Sequence, residues 1–234
     1  MTEIIASILS PGYTYEDMKN KIAKLRGLIS TVQIDLCDGV FVPNKTWPFV
    51  SGGLEDYNFK RIINGQEGLP FWEDINFELD LMVSDAVENF DIYMKLGPKG
   101  VIFHIEAMAD LEDFKDFLEG IDIYIRDVIK IGIAINPSTA LEKIFPFISI
   151  IDFVQLMGND KIGVSGVSLD GRVYGRIKLL REKYPDLSIE IDIGVNKETA
   201  PLLVKAGASR LVAGSAIFNT DNIIDTIEKF KALD

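Results

Sequence analysis

The chain has 234 residues, of which 47% are hydrophobic, and a formal net charge of −12 at pH 7. That hydrophobic fraction excludes a disordered chain, and the acidic balance argues against nucleic acids and anionic membranes as partners. The single cysteine, Cys37, excludes an internal disulfide and is typical of a reducing compartment, so we expect a cytoplasmic protein. We expect neither a signal peptide nor a membrane span, because no suitable apolar run is present.

Apolar, β-rich runs alternate along the chain with amphipathic helical patterns. The predicted strands are 4–9, 31–37, 76–83, 100–105, 129–135, 151–157, 187–192 and 210–213. The predicted helices are 15–25, 86–96, 111–118, 171–184, 197–206 and 221–232, with Thr14 and Asn196 as N-caps and Gly97 and Gly207 after helix ends. This alternation predicts one (β/α)8 TIM-barrel domain over residues 1–234, and a doubly wound open sheet is the alternative.

The segment 47–74 interrupts the alternation. It is rich in glycine and contains six aromatic residues. We interpret it as the second helix within a packed surface excursion. The other interpretation is a lid over the site or an oligomer contact, and we expect the protein to form a homo-oligomer.

Polar side chains collect where the predicted strands end, which is where barrel active sites lie. The last inward-pointing residues are Gln33, Asp35, Asp80, Met82, His104, Glu106, Met157 and Asp192. One such carboxylate can be a hydrogen-bonded structural group, but three on separate strands indicate a functional site. His104, the one histidine, fits either a buried core position or a wall of the site, and we assign it to the wall, where it would contact the substrate.

Residues 33–44 read Gln-Ile-Asp-Leu-Cys-Asp-Gly-Val-Phe-Val-Pro-Asn. This stretch resembles the second-strand motif of the ribulose-phosphate 3-epimerase family, His-x-Asp-x-Met-Asp-Gly-x-Phe-Val-Pro-Asn. Further matches to that family are Ser7-Ile8-Leu9-Ser10, Leu81-Met82-Val83, Phe103-His104-x-Glu106-Ala107, Asn136-Pro137, Asp192-x-Gly194-Val195-Asn196 and Ala213-Gly214-Ser215-Ala216-Ile217-Phe218. The resemblance covers nearly the whole chain and implies a barrel enzyme that acts on ketose phosphates.

The resemblance implies inversion of carbon 3, converting D-ribulose 5-phosphate into D-xylulose 5-phosphate. It assigns Asp35 and Asp192 as the catalytic acid–base pair and Ser7 as a residue that hydrogen-bonds the substrate. Met82 and Met157 would face the reacting centre, with Cys37 replacing a third methionine. The alternative for these three residues is that they fill gaps in the core.

The resemblance also implies a divalent metal ion bound by two histidines and two aspartates. The equivalent residues here are Gln33, Asp35, Asp80 and Asp192, so both imidazoles are replaced. Oxygen donors favour Mg or Mn over Zn or Fe. The alternative is a repurposed, non-catalytic phosphate-binding barrel that has lost its metal. An orotidine-phosphate decarboxylase type ranks last, because residues 35–38 lack the lysine of its Asp-x-Lys-x-x-Asp motif.

The phosphate is implied to lie on glycine-containing loops after strands six, seven and eight. The residues concerned are Gly163, Ser165, Gly166, Gly194, Gly214 and Ser215. Glycine lets backbone N–H groups approach a phosphate closely. The first loop departs from the family, because it lacks a Pro-Gly lead-in and has Val167 where the family has glutamine.

Overall fold

Parallel strands close into a barrel in the computed structural model, which describes residues 2–9 and 14–233. The strands are β1 (Glu3–Ile8), β2 (Thr31–Cys37), β3 (Asn76–Met82), β4 (Gly100–His104), β5 (Lys130–Ile135), β6 (Phe153–Met157), β7 (Ser188–Asp192) and β8 (Arg210–Ala213). Each strand pairs with the next, and β8 pairs with β1. Closure confirms the predicted (β/α)8 barrel and rules out the doubly wound sheet, which has two open edges. Ser10 of the first-strand motif lies outside the described residues.

Helices follow most of the strands. They are α1 (Tyr15–Ala23), α2 (Tyr57–Ile63), α3 (Phe90–Met94), α4 (Leu111–Glu119), α5 (Ile123–Arg126), α6 (Arg172–Lys183), α7 (Ala200–Ala206), α8 (Ser215–Phe218) and α9 (Ile223–Lys231). The connection from β5 to β6 contains a 3-10 helix, Leu141–Phe147, with Pro146 inside it. No helix within the described ranges is long and apolar enough to cross a membrane.

The helix ends show which capping predictions hold. Thr14 caps α1, because its hydroxyl accepts the backbone N–H of Asp17. Asn196 was wrong as the N-cap of α7, which begins only at Ala200. The side chain of Asn196 instead accepts the N–H groups of Glu198 and Thr199 and closes a turn before the helix. The predicted helix 86–96 is reduced to α3, because residues before Phe90 form turns.

The segment 47–74 is packed rather than extended over solvent. It contains α2 and two short 3-10 helices, Phe49–Ser51 and Gly53–Glu55. The indole of Trp47 is buried, donates a hydrogen bond to Asp56, and contacts the rings of Tyr15 and Phe59. These contacts support the interpretation as a packed excursion that carries the second helix.

The barrel interior contains a small apolar layer that runs from Phe153, at the amino end of β6, to the carboxyl ends of other strands. It includes Cys37, Met82, Ile102, Ala134, Phe153 and Met157. Strand register places Asp35 beside Asp80, and Met157 beside Asp192. Acidic side chains therefore sit directly above or within an apolar layer, where the charged form of a carboxylate is poorly solvated.

Candidate active site

A cavity of about 260 Å³ lies at the carboxyl ends of the strands. Its lining includes these predicted residues: Ser7, Asp35, Met82, Gly163, Ser165, Gly166, Asp192, Gly194, Gly214 and Ser215. The structure thus brings together residues from β1, β2, β3 and β7 with the loops after β6, β7 and β8. The other predicted residues, Gln33, Asp80, His104 and Met157, are completely buried and do not line the cavity.

Asp35 is held by two side chains that donate to its two oxygens. The hydroxyl of Ser7 donates to Oδ2 over 2.7 Å, and Nε2 of Gln33 donates to Oδ1 over 2.8 Å. Burial and then the charge of Asp80 raise the pKa of Asp35 to about 7, although both hydrogen bonds act in the opposite direction. Asp35 therefore changes its protonation state near neutral pH.

Asp192 is the second carboxylate of the cavity. Burial raises its pKa well above the ordinary value, and the charges of Asp35 and Asp80 raise it further. Hydrogen bonds from the N–H of Ile193 and from Gln33 oppose that shift in part. Two coupled carboxylates that cannot easily both be charged can divide the roles of acid and base.

A buried polar network around Asp80 lies beside Asp35. Nε2 of His104 is 2.8 Å from Oδ1 of Asp80, and Nε2 of Gln155 donates to Oδ2 of Asp80 over 3.1 Å. Burial on its own would lower the pKa of His104, but the charge and hydrogen bond of Asp80 outweigh it and raise that pKa. His104 thus acts as a buried partner of Asp80 rather than as a cavity wall.

The arrangement does not fit the metal site that the resemblance implies. Nε2 of Gln33 donates to Asp35, and both oxygens of Asp80 are bound to protein side chains. Among residues 2–9 and 14–233, no group of three or more His, Cys, Asp or Glu side chains could hold a metal ion. Oε1 of Gln33 lacks a hydrogen-bond partner in that part of the chain, but one amide oxygen does not form a coordination sphere.

Glu106, another candidate acid, serves a structural role. Its Oε1 accepts the backbone N–H of Asn136 over 2.8 Å, which joins the end of β4 to the end of β5. Glu106 does not line the cavity.

The glycine loops, residues 163–167, 193–195 and 214–215, form one wall of the cavity. Gly163, Gly166 and Gly194 all have positive φ, which glycine adopts without strain. Nδ2 of Asn44 donates to the carbonyl of Gly163 over 2.9 Å, and the hydroxyl of Thr199 donates to the carbonyl of Gly194 over 2.7 Å. These side chains fix the loops, so backbone groups are held in place at the wall.

Ile193 stands in an unusual backbone conformation directly after Asp192. Its φ is 73°, in the left-handed region that a β-branched residue rarely occupies. The resemblance places a glycine at this position. The strain is held in the residue that follows a candidate catalytic acid, a pattern common at functional sites.

Sequence reasoning missed two polar residues near the site. Gln155 lies two residues before Met157 on β6. A polar residue in an otherwise apolar strand was the feature of the sequence that could have identified it. Lys21 lines the cavity from α1. Nothing in the helical pattern separates Lys21 from the neighbouring Lys19 and Lys24, so only the structure reveals it.

Proteins of similar sequence point to the same family as the motifs. The model of the family described as "Ribulose-phosphate 3 epimerase family" matches residues 3–218. The ribulose-phosphate 3-epimerase of Eremothecium gossypii is 28% identical over 233 residues, covering 97% of this chain and 93% of the relative. That of Bacillus subtilis is 29% identical over 225 residues, covering 93% of each chain.

Solved structures share the fold at low sequence identity. KGPDC from Streptococcus mutans has a TM-score of 0.67 and 11% identity, covering 99% of this chain and 96% of that one. Orotidine 5'-phosphate decarboxylase from Pyrococcus horikoshii OT3 has a TM-score of 0.58 and 19% identity, covering 97% and 96%. These similarities show only that the barrel fold is shared. Since the family model spans most of the sequence, the chain belongs to the ribulose-phosphate 3-epimerase family.

Proposed function

We propose that this protein is an isomerase that inverts carbon 3 of a ketose phosphate, interconverting D-ribulose 5-phosphate and D-xylulose 5-phosphate. Family membership and the names of the relatives support the reaction class. The observation that carries the proposal is the coupled pair of carboxylates, Asp35 and Asp192, in one cavity bounded by the glycine loops.

In the proposed reaction, one carboxylate removes the proton from carbon 3 and leaves an enediolate. The other carboxyl group returns a proton to the opposite face of that carbon, which inverts it. Both acids have raised pKa values, so one of the pair can hold a proton near neutral pH while the other is ionised. The first is restored by proton exchange with water or by the reverse reaction.

The developing negative charge needs donors nearby. The hydroxyl of Ser7 and the amide of Gln33 already point at Asp35, and Ser7 also lines the cavity. We assign Ser7 to hydrogen-bonding the substrate and Gln33 to orienting Asp35. Met82 is an apolar residue of the cavity lining, and Met157 packs in the same apolar layer without reaching the cavity.

A divalent metal ion, Mg or Mn rather than Zn or Fe, is what the resemblance and the oxygen donors would suggest. It would stabilise the enediolate charge if bound. Because Gln33 is bonded to Asp35, and Asp80 to His104 and Gln155, the proposed steps involve only the side chains of the protein.

The substrate phosphate is proposed to bind at the glycine loops. Gly163, Ser165, Gly166, Gly194, Gly214 and Ser215 line the cavity on this side. A phosphate bound at these loops would hold the substrate in one position and so place its carbon 3 between the two carboxylates.

The test is turnover of ribulose 5-phosphate in heavy water. Epimerisation through Asp35 and Asp192 predicts xylulose 5-phosphate that carries deuterium at carbon 3, visible by NMR. Carboxyl groups exchange their protons with water, so product without deuterium at carbon 3 would exclude proton transfer by these two acids. No product, with sugar phosphate nevertheless bound, would favour the alternative of a repurposed phosphate-binding barrel, for which the replaced histidines at positions 33 and 80 are the specific observation.

A further inference from the structure

Lys21 is a basic residue on α1 that lines the cavity together with the glycine loops. It lies in the last turn of α1 and lines the same cavity as Gly166, Gly214 and Ser215. Its Nζ is 4.7 Å from the ring centroid of Phe218, which also lines the cavity and ends the short helix that begins at Ser215. The ammonium group is therefore held beside the loop after β8.

The charges that line the cavity indicate why the position of Lys21 matters for an anionic ligand. Among the described residues that line it, Lys21 is the only basic one, whereas Asp35 and Asp192 bring carboxylates. Backbone N–H groups of the glycine loops can orient a phosphate but add no net charge. In a chain with a net charge of −12, a phosphomonoester dianion gains strongly from one cation at its binding wall.

The surroundings of Lys21 also favour an anionic ligand. The side chain is half-buried, and burial lowers its pKa, with nearby Lys24 acting in the same direction and Asp35 opposing. A bound dianion close to Nζ would offset the cost of holding an ammonium group away from water. The ammonium group lies over the face of the Phe218 ring, a cation–π contact that keeps Nζ at the cavity wall.

We propose that Lys21 is a phosphate-binding residue that pairs with the phosphate of the substrate and makes the cavity selective for phosphorylated over free sugars. The identity of that substrate rests on the proposed function, but pairing with the phosphate does not require turnover. Lys21 acts on binding and takes no part in proton transfer at carbon 3.

The experiment compares Lys21→Met with Lys24→Met, which removes the same charge from an exposed position one turn away. Calorimetry measures binding of ribitol 5-phosphate, which cannot react, and of ribitol. Lys21→Met should weaken ribitol 5-phosphate binding by about tenfold to a hundredfold, the range for losing a hydrogen bond to a charged group. Lys24→Met should bind like the wild type, Lys21→Arg should recover part of the loss, and ribitol binding should not change.

Kinetics and salt give independent measurements. In Lys21→Met, KM for ribulose 5-phosphate should rise while kcat changes little, and binding should depend less on salt than in the wild type. Circular dichroism checks folding, and Lys21→Gln repeats the comparison if the methionine variant is unstable.

Wild-type binding strength in Lys21→Met, absence of ribitol 5-phosphate binding by the wild type, or an equal loss in Lys24→Met would overturn the assignment. Lys21-dependent binding without turnover would reject the epimerase while leaving the phosphate contact. Turnover that does not depend on Lys21 would support the epimerase and reject Lys21 as the phosphate contact.

Discussion

Nε2 of His104 lies 2.8 Å from Oδ1 of Asp80, and both side chains are completely buried. The position that the resemblance gives to a metal-binding histidine thus holds an acid, and that acid is paired with an imidazole from the adjacent strand. Gln155 bonds its other oxygen. A buried polar side chain is tolerated when its hydrogen bonds are made, and both carboxyl oxygens of Asp80 have protein partners.

The first prediction concerns metal. Wild-type protein should keep its activity after exhaustive chelation and should contain metal well below one equivalent, because its donors are already hydrogen-bonded. Gln33→His/Asp80→His restores the two imidazoles and should gain Zn or Fe, measured by elemental analysis. Loss of wild-type activity on chelation, followed by recovery with Mg or Mn, would contradict this and support the oxygen-donor site predicted from the sequence.

The second prediction concerns the carboxylate pair. Asp35→Asn and Asp192→Asn should each lower kcat on the order of 100- to 10,000-fold, the usual contribution of a general acid or base. Far-UV circular dichroism should stay unchanged, since asparagine is isosteric. Asp116→Asn, an exposed residue on α4, is the control and should be fully active. Near-normal turnover by either active-site variant would reject the two-carboxylate mechanism.

Much of the fold could be predicted from sequence, and parts of the site could not. The predicted bounds of β2 and β8 match the structure, because apolar residues dominate both runs. Strand alternation places Asp35 and Asp192 at one end of the barrel, and the family resemblance assigned their roles. Lys21 and Gln155 were missed, because their roles depend on which elements meet in space rather than on local pattern.

The third prediction concerns stability and pH. A carboxyl group whose pKa is higher in the folded state binds its proton more tightly when folded. For Asp35, with an ordinary value of 3.8 raised to about 7, the stability contribution is fully present below about pH 4 and is lost as pH rises through about 7. Asp35→Asn mimics the protonated form without titrating, so its Tm should exceed that of the wild type most at pH 8.

The control for that measurement is Asp38→Asn. Burial acts to raise the pKa of Asp38, but its hydrogen bonds from the N–H groups of Val40, Ser84 and Phe41 outweigh burial and lower it. Its contribution is therefore present above its unfolded pKa and lost on acidification, so the variant should be least stable relative to wild type near neutral pH. A Tm difference for Asp35→Asn that does not vary between pH 4 and 8 would refute the assigned shift.

The last prediction tests the glycine loops through Gly194. Its φ is 77°, and a Cβ there would lie 2.6 Å from the backbone N and 2.7 Å from the Cα of Leu169. Alanine would meet backbone atoms that cannot move aside like a side-chain end, and its left-handed conformation costs roughly 1–2 kcal/mol on its own. Gly194→Ala should therefore lower Tm and raise KM for the sugar phosphate, because the loop after β7 must shift.

The matched control for Gly194→Ala is Gly175→Ala on α6. Apart from the neighbouring residues and the local helix backbone, no described atom lies within 4 Å of a Cβ at Gly175, which is exposed within the helix. Alanine should stabilise the protein there by about 0.8–1.0 kcal/mol, the difference in helix propensity. Thermal melting should show a lower Tm for Gly194→Ala and a higher Tm for Gly175→Ala. Steady-state kinetics should show a raised KM for Gly194→Ala only. An unchanged KM in a folded Gly194→Ala protein would show that the loop after β7 does not bind the phosphate.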